Sequence, residues 1–318
     1  MDAAKPLESA SFRCISPFAV SQSTAARGAV PLALAAVYVI WGSTYLAIRF
    51  SLEGGWPPFL LGGVRFLCAG AILFAVLRLR GMPAPTRAQW RNAAVMGLLL
   101  LVLGNGLVNF AEKSVSSGIT AVAVASAPMW FGIFASLRGD RPSALEWLGI
   151  AIGFVGVLLL NAGAAREVDM LGLVALMVAA MAWSFGSIWS RGRDLAPPFM
   201  TAAAQMLCGG VAMLVISAAT GERLQALPSA SGLGAFAYLV LIGSLLGFSA
   251  YVWLLHHVRP ALAGSYAYVN PVIAVVLGAW LAHERFTLAE LGAMAVIVAG
   301  VVVISVGKLK KQATDKRA

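Results

Sequence analysis

Pro57-Pro58-Phe59 runs into Leu67-Cys68-Ala69-Gly70, and Pro197-Pro198-Phe199 runs into Leu207-Cys208-Gly209-Gly210, an ungapped offset of 140 residues (197 − 57). Both copies lie in segments too apolar to be anything but membrane-spanning. A duplicated membrane unit is a strong pointer to a transporter.

Composition agrees with that environment. The chain has 60% hydrophobic and 11% charged residues and a mean hydropathy of +0.86, whereas soluble proteins average about 25% charged. At roughly 20 residues per spanning helix, the apolar runs predict about ten spans. They lie near 31–49, 58–77, 92–111, 118–137, 146–162, 170–189, 199–218, 234–255, 262–282 and 288–306. The first 30 residues carry Lys5, Arg13 and Arg27 among scattered serines and have no apolar core before a cleavage site, so they read as a disordered cytoplasmic lead-in, not a signal peptide.

The formal charge of +10 is sorted by side. With the N-terminus in the cytoplasm, the lead-in, the Arg78 to Arg91 connection, Arg138, Arg141, Arg191, Arg193, Arg259 and the basic tail 308–318 all face inward. Arg49, Lys113, Arg166, Arg223 and Arg285 face outward, and Arg65 lies within a span. This asymmetry places both termini in the cytoplasm, and the expected location is a plasma membrane, the bacterial inner membrane. The tail then meets anionic lipid, and nucleic acid is not an expected partner. Cys68 and Cys208 sit at matching positions in separate spans and read as small packing groups; three cysteines make no disulfide framework.

The repeat extends further at an offset of 143, which aligns Gly104 with Gly247, Pro128 with Pro271, Leu148 with Leu291 and Gly149 with Gly292. A looser match joins Trp41-Gly42-Ser43 to the stretch from Trp183 to Ser187. The expected fold is therefore an all-α polytopic membrane protein of two five-helix repeats, 31–163 and 170–307. Five is odd, so the second repeat enters the membrane inverted relative to the first. Inverted repeats suit alternating access about a central site.

Taken together, Trp41-Gly42-Ser43-Thr44-Tyr45, the Pro57 motif, Arg65-Phe66, Gly104-Asn105-Gly106, Glu146-Trp147-Leu148-Gly149, the run Ser265 to Pro271 and His283-Glu284 resemble a known family. They are similar to the EamA branch of the drug/metabolite transporter superfamily, and within it to the YedA-like exporters. The resemblance covers nearly all of 31–307. It implies ten helices in two repeats and efflux of small metabolites, amino acids or related solutes, without fixing the cargo. The chain departs from it in a longer lead-in, and in carrying Asp140-Arg141 where the second half has His283-Glu284.

Candidate cargo residues follow from the cost of burying polarity, about 2.5–3.5 kcal/mol for a charge at mid-membrane. Arg65 stands roughly 10 Å into its span, counted from Pro58 at 1.5 Å per residue. It either offers its fork to a carboxylate or phosphate, or pairs internally. Its counterpart Gln205 is neutral. Asn105, Asn109 and Glu112 form a polar strip at helical spacing, and Tyr266 and Asn270 share a face of the ninth helix. Trp41, Tyr45 and Trp183 either wall a pocket or pack as core. Pro128 and Pro271 free the carbonyls of Val124 and Ala267, which predicts gating bends or simple kinks. Glu112 and Glu284 are the candidates for coupling. Gly149, Gly153 and Gly156, with Ala295 and Ala299, form small-residue faces for helix packing, and a monomer or a homodimer is compatible with them.

There is no HExxH, GxSxG or Walker A sequence, and His and Cys never reach metal-ligand spacing within one span. The chain is therefore not read as an enzyme, and no cofactor or metal is expected. The reading from a different class is a membrane sensor or scaffold that keeps a transporter-like fold without flux.

Overall fold

The computed structural model describes residues 24–115, 120, 123–161, 169–282 and 288–315. Among the described residues there is no strand. The helices are α1 (Thr24–Glu53), α2 (Pro58–Leu79), α3 (Arg87–Ala111), α4 (Ala127–Leu137), α5 (Ala144–Asn161), α6 (Met170–Trp189), α7 (Pro198–Ala219), α8 (Ala230–His257), α9 (Tyr266–Ala282) and α10 (Leu288–Asp315). A single helical turn, Pro260–Ala263, precedes α9.

The duplicated motif builds duplicated geometry. Pro57 and Pro197 stand in extended conformation just before α2 and α7, and the next proline opens each helix, where its missing N–H costs nothing. Both helices end the same way. Gly81 and Gly221 take φ of 82° and 73°, while Met82 N donates to Leu77 O at 3.0 Å and Glu222 N to Ser217 O at 2.9 Å. That is a Schellman stop built on a left-handed glycine.

Six helices among the described residues are long and apolar enough to cross a membrane: Ala29–Glu53, Pro58–Leu79, Arg87–Ala111, Met170–Trp189, Pro198–Ala219 and Ala230–His257. Shorter apolar helices cover Ala123–Leu137, Ala144–Gly156 and Leu291–Ile304. The expected uniform set of ten long spans is thus met only in part. The fourth predicted span breaks at Ser126, where a turn precedes Pro128, and the ninth starts only after a turn at Gly264-Ser265. Helix α9 runs through Pro271 without interruption. At the N-terminus the helix starts at Thr24, ahead of the predicted span, and the first 23 residues lie outside the described residues, as does Glu284.

Packing follows the same two-fold logic as the sequence. Helix α2 packs on α7 and α5 on α10, while α1 contacts α8 and α9 as α6 contacts α3 and α4. Exchanging the halves maps this pattern onto itself. Small residues permit the closest approaches: a Cβ on Gly149 would come within 2.8 Å of Gly300 O, and one on Gly156 within 2.8 Å of Ile297 N. Ala295 and Ala299 are exposed, so the expected small face of α10 lies elsewhere, around Ala293 and Gly300.

Helices α3 and α8 each carry a ten-residue π-helical stretch, Gly97–Gly106 and Leu239–Phe248, at an offset of 142 residues (239 − 97). Such wide turns are rare and gather at functional sites. A Cβ on Gly104 would come within 2.7 Å of the Trp183 ring, and a Cβ on Gly247 within 2.8 Å of Trp41 Nε1. Each glycine therefore seats the tryptophan of the opposite half.

Candidate functional site

Where the two halves meet, α1, α2, α3, α4, α6 and α9 line a cavity of about 70 Å³. Of the residues singled out from sequence, Trp41, Tyr45, Arg65, Asn105, Trp183, Tyr266 and Asn270 all line it. Asn109 and Gln205 do not. Asn109 is fully buried and turns to α2, where Nδ2 donates to Pro58 O at 3.2 Å. Gln205 is also fully buried, with its backbone carbonyl against Gly97 on α3.

One wall is aromatic. Trp41 meets Trp183 edge-on with centroids 5.4 Å apart and Tyr266 edge-on at 4.8 Å. Tyr251 lies 4.9 Å from Trp41 and 5.2 Å from Trp183. The polar tips of Trp41, Trp183 and Tyr251 are satisfied internally, as buried Trp and Tyr require. Trp183 Nε1 donates to the Tyr251 hydroxyl at 2.8 Å, and that hydroxyl is 2.7 Å from Ser187 Oγ. Trp41 Nε1 donates to Gly243 O at 3.3 Å, a carbonyl of the second π-helical stretch. The rings therefore form a rigid floor.

Polar groups complete the lining or lie close behind it. Arg65 is 3% exposed; its Nε donates to Ser244 Oγ at 2.8 Å, and its guanidinium carbon stands 4.8 Å from the Phe66 ring centroid. Ser244 escaped the sequence reading, although a lone serine in an apolar run of α8 is the kind of signal that marks a partner. Nη1 of Arg65 has no hydrogen-bond partner. With its amide nitrogen turned to the backbone, Asn270 donates to Tyr266 O at 3.0 Å and Tyr38 O at 3.2 Å. Both carboxylate oxygens of Glu112 are buried without a hydrogen-bond partner, just past the end of α3.

Charged contacts away from the cavity tie the helix ends together. At one end, Arg259 pairs with Asp140 at 2.8 Å and lies 3.8 Å from Glu146, which is 1% exposed. There too, Arg138 donates to Ile188 O at 2.9 Å and Arg191 to Val258 O, so two guanidinium groups cap the C-terminal ends of α6 and α8. Burial holds the Arg191 guanidinium below its ordinary pKa. At the other end, the Glu222 carboxylate accepts from Leu60 N at 2.8 Å, and Ser114 Oγ donates to Asp169 at 2.6 Å. The Ser114 bond, with the Leu171 N–H, holds the Asp169 carboxyl below the usual carboxylate range. His256 and His257, at the end of α8, each bond the carbonyl four residues back at 2.8 Å. Among the described residues no cluster of His, Cys, Asp and Glu has the geometry to hold a metal.

Comparison with known proteins places this geometry in context. The model of the EamA-like transporter family matches the chain twice, over residues 28–162 and 170–306. The chain is 46% identical over 277 residues to the uncharacterized inner membrane transporter YedA of Escherichia coli (strain K12), covering 87% of this chain and 90% of that protein. It is 25% identical over 269 residues to Protein PecM of Dickeya dadantii (strain 3937), covering 83% and 88%. A solved crystal structure of a protein matches with a TM-score of 0.75 at 21% identity, covering 89% of this chain and 98% of that one, a likeness of fold.

Proposed function

Since this chain belongs to the EamA-like transporter family, we propose that it is a secondary transporter that exports small metabolites, amino acids or related solutes, by alternating access. The carrying observation is the cavity itself, a partly polar chamber at the junction of two halves whose packing is exchangeable. An inward-open and an outward-open state of such a pair are close in energy, because each half adopts in one state what its counterpart adopts in the other.

In this reading the two halves are inverted five-helix repeats, and both termini lie in the cytoplasm of the bacterial inner membrane. Trp41, Tyr45, Arg65, Asn105, Trp183, Tyr266 and Asn270 contact cargo. Asn109 and Gln205 support the walls from behind. The break at Ser126 beside Pro128, and the turn that precedes α9 and Pro271, supply the moving joints. Glu112 is the coupling candidate that lies within the described residues. The ionic ties of Arg259, Arg138 and Arg191 close the cytoplasmic end, so cargo reaches the cavity in this state from the outer side. Without a P-loop in the sequence, the driving force is a solute or ion gradient.

The test is an export screen. Cells overproducing the protein are challenged with toxic amino acids and analogues, and extracellular solutes are quantified. Arg65→Ala and Asn270→Ala, in protein that still inserts normally, are expected to cut export. Wild-type rates from both variants remove these residues from the site. No substrate-dependent flux in cells or liposomes favours a sensor or scaffold instead.

A further inference from the structure

We infer that the cavity recognises a small organic monoanion, a carboxylate with no balancing ammonium group such as a 2-oxo or 2-hydroxy acid, and that each transport cycle therefore moves one negative charge across the membrane. This rests on the transport reading above and goes beyond it, by fixing the charge of the cargo and the force that drives it out. Arg65 is buried, lines the cavity and keeps its charge, because a guanidinium does not deprotonate in proteins. Its Nε donates to Ser244 Oγ at 2.8 Å. Gly243 lies between its Nη2 and Thr44: a Cβ there would come within 3.1 Å of Nη2 and 3.2 Å of Thr44 Cγ2. The charged head, and not merely the stem, thus reaches the lining at Thr44. Nε and Nη2 share the edge of the planar fork that is turned to α8, while Nη1, on the other edge, is buried with no acceptor.

No carboxylate answers this charge. The ion pairs found among the described residues join Arg49 to Glu53, and Arg259 to Asp140 and Glu146. Glu112, at the end of α3, does not line the cavity. Among the described residues every other lining side chain is neutral, including the polar Thr44, Tyr45, Asn105 and Asn270. A single buried charge in a membrane helix ordinarily marks a ligand or ion path.

Charge balance then selects the solute. A monoanion neutralises the chamber. A zwitterion brings an ammonium group into a space whose own charge is already positive, and a dianion such as a phosphate monoester leaves a surplus negative charge; both leave a buried charge unpaired, which is costly. Size agrees. About 70 Å³, at about 15 Å³ per water on the same measure, holds about five waters, the scale of a small carboxylic acid and well short of a nucleotide. The faces of Trp41, Trp183 and Tyr266 receive its apolar part. Since Arg65 stays with the protein, the charge that crosses is the cargo's. An inside-negative potential pushes it outward, and about 100 mV supports roughly a 40-fold outward gradient.

The experiment uses the full chain in proteoliposomes near neutral pH, with the membrane potential set by a potassium gradient and valinomycin. The probes are pyruvate, L-lactate, 2-oxoisovalerate and 2-hydroxyisovalerate, each paired with its amino acid, alanine or valine, and with its neutral amide; uptake by protein-free liposomes is subtracted. At least one acid is expected to enter at least about tenfold faster than both its amino acid and its amide, because a site built to bond a group rejects analogues that lack it. An inside-positive potential of about 100 mV is expected to raise accumulation of that acid toward the roughly 40-fold limit, and an inside-negative one to suppress it. Arg65→Gln is expected to erase the preference for the acid over its amide, and Arg65→Lys to keep it; where neither variant folds, the potential dependence of the wild type decides alone. Equal rates for an acid and its amino acid, flux of an acid that ignores the potential, or an undiminished preference in Arg65→Gln overturns the monoanion site, as does flux of amino acids or other solutes with none of the acids. Absence of flux for every solute, the toxic analogues of the export screen included, overturns the transport reading itself.

Discussion

Gly104 offers the sharpest mechanical test of how the halves interlock. An added Cβ would lie 2.7 Å from Trp183 Cε3. The indole is held on several sides: its nitrogen donates to the Tyr251 hydroxyl at 2.8 Å, Trp41 stands edge-on at 5.4 Å, and Phe248 at 6.3 Å. Overpacking a rigid core costs about 1–3 kcal/mol, and a helical Gly→Ala change returns about 0.5–1 kcal/mol. Gly104→Ala is therefore expected to lose about 1–2 kcal/mol, or roughly 5- to 30-fold in the folding equilibrium at 1.4 kcal/mol per tenfold. Gly234→Ala is the control, because a Cβ there meets nothing within 4 Å, and it should be neutral or stabilising. Unfolding of the purified protein in mixed SDS micelles, followed by circular dichroism, compares the two. If Gly104→Ala is as stable as Gly234→Ala, the seating of Trp183 on α3 is wrong.

Two further outcomes concern the helix ends and a third the π-helical stretch of α8. Arg259→Ala removes the guanidinium 3.8 Å from the buried Glu146 and is expected to destabilise the purified protein by about 1–3 kcal/mol in the same assay, less than the 3–5 kcal/mol of a fully buried pair because Arg259 keeps 18% side-chain exposure. The Asp169 carboxyl, held below its unfolded pKa by Ser114, contributes stability that is present above about pH 4 and lost as pH falls through the depressed native value. Ser114→Ala should move that loss to higher pH, read as protease sensitivity of the 112–115 and 169–170 segments; an unchanged profile contradicts the role of the bond. Gly247→Ala should mirror Gly104→Ala, because its Cβ would meet Trp41 Nε1 at 2.8 Å and break the 3.3 Å bond to Gly243 O.

The parts legible in sequence are those where chemistry leaves one solution. Pro57-Pro58 and Pro197-Pro198 announce helix starts because a proline in the first turn forfeits no hydrogen bond, and they recur because the unit recurs. Arg65 stood out because a charge at that depth needs a purpose. Of the polar strip, Asn105 lines the cavity and Asn109 does not. Four-residue spacing puts Asn105 and Asn109 on one face of a regular α-helix, but Asn105 lies inside the π-helical stretch, whose wider turn leaves Asn105 on the cavity and carries Asn109 round to the Pro58 carbonyl. No local residue pattern signals a π-helix, so that rotation is hidden from sequence. Gln205 matches Arg65 in register yet backs onto Gly97, because the two second helices pack on each other and only one of them borders the cavity.

Sidedness of the two halves remains the most direct handle on the central claim. Ala84 and Ala226 are exposed residues in the equivalent connections after α2 and α7. In protein lacking its native cysteines, Ala84→Cys and Ala226→Cys are probed in intact cells and inverted vesicles with a membrane-impermeant maleimide. Labelling of position 84 from the cytoplasmic face only and of position 226 from the outer face only is the expected result; labelling of both from one face contradicts inverted halves and alternating access with them.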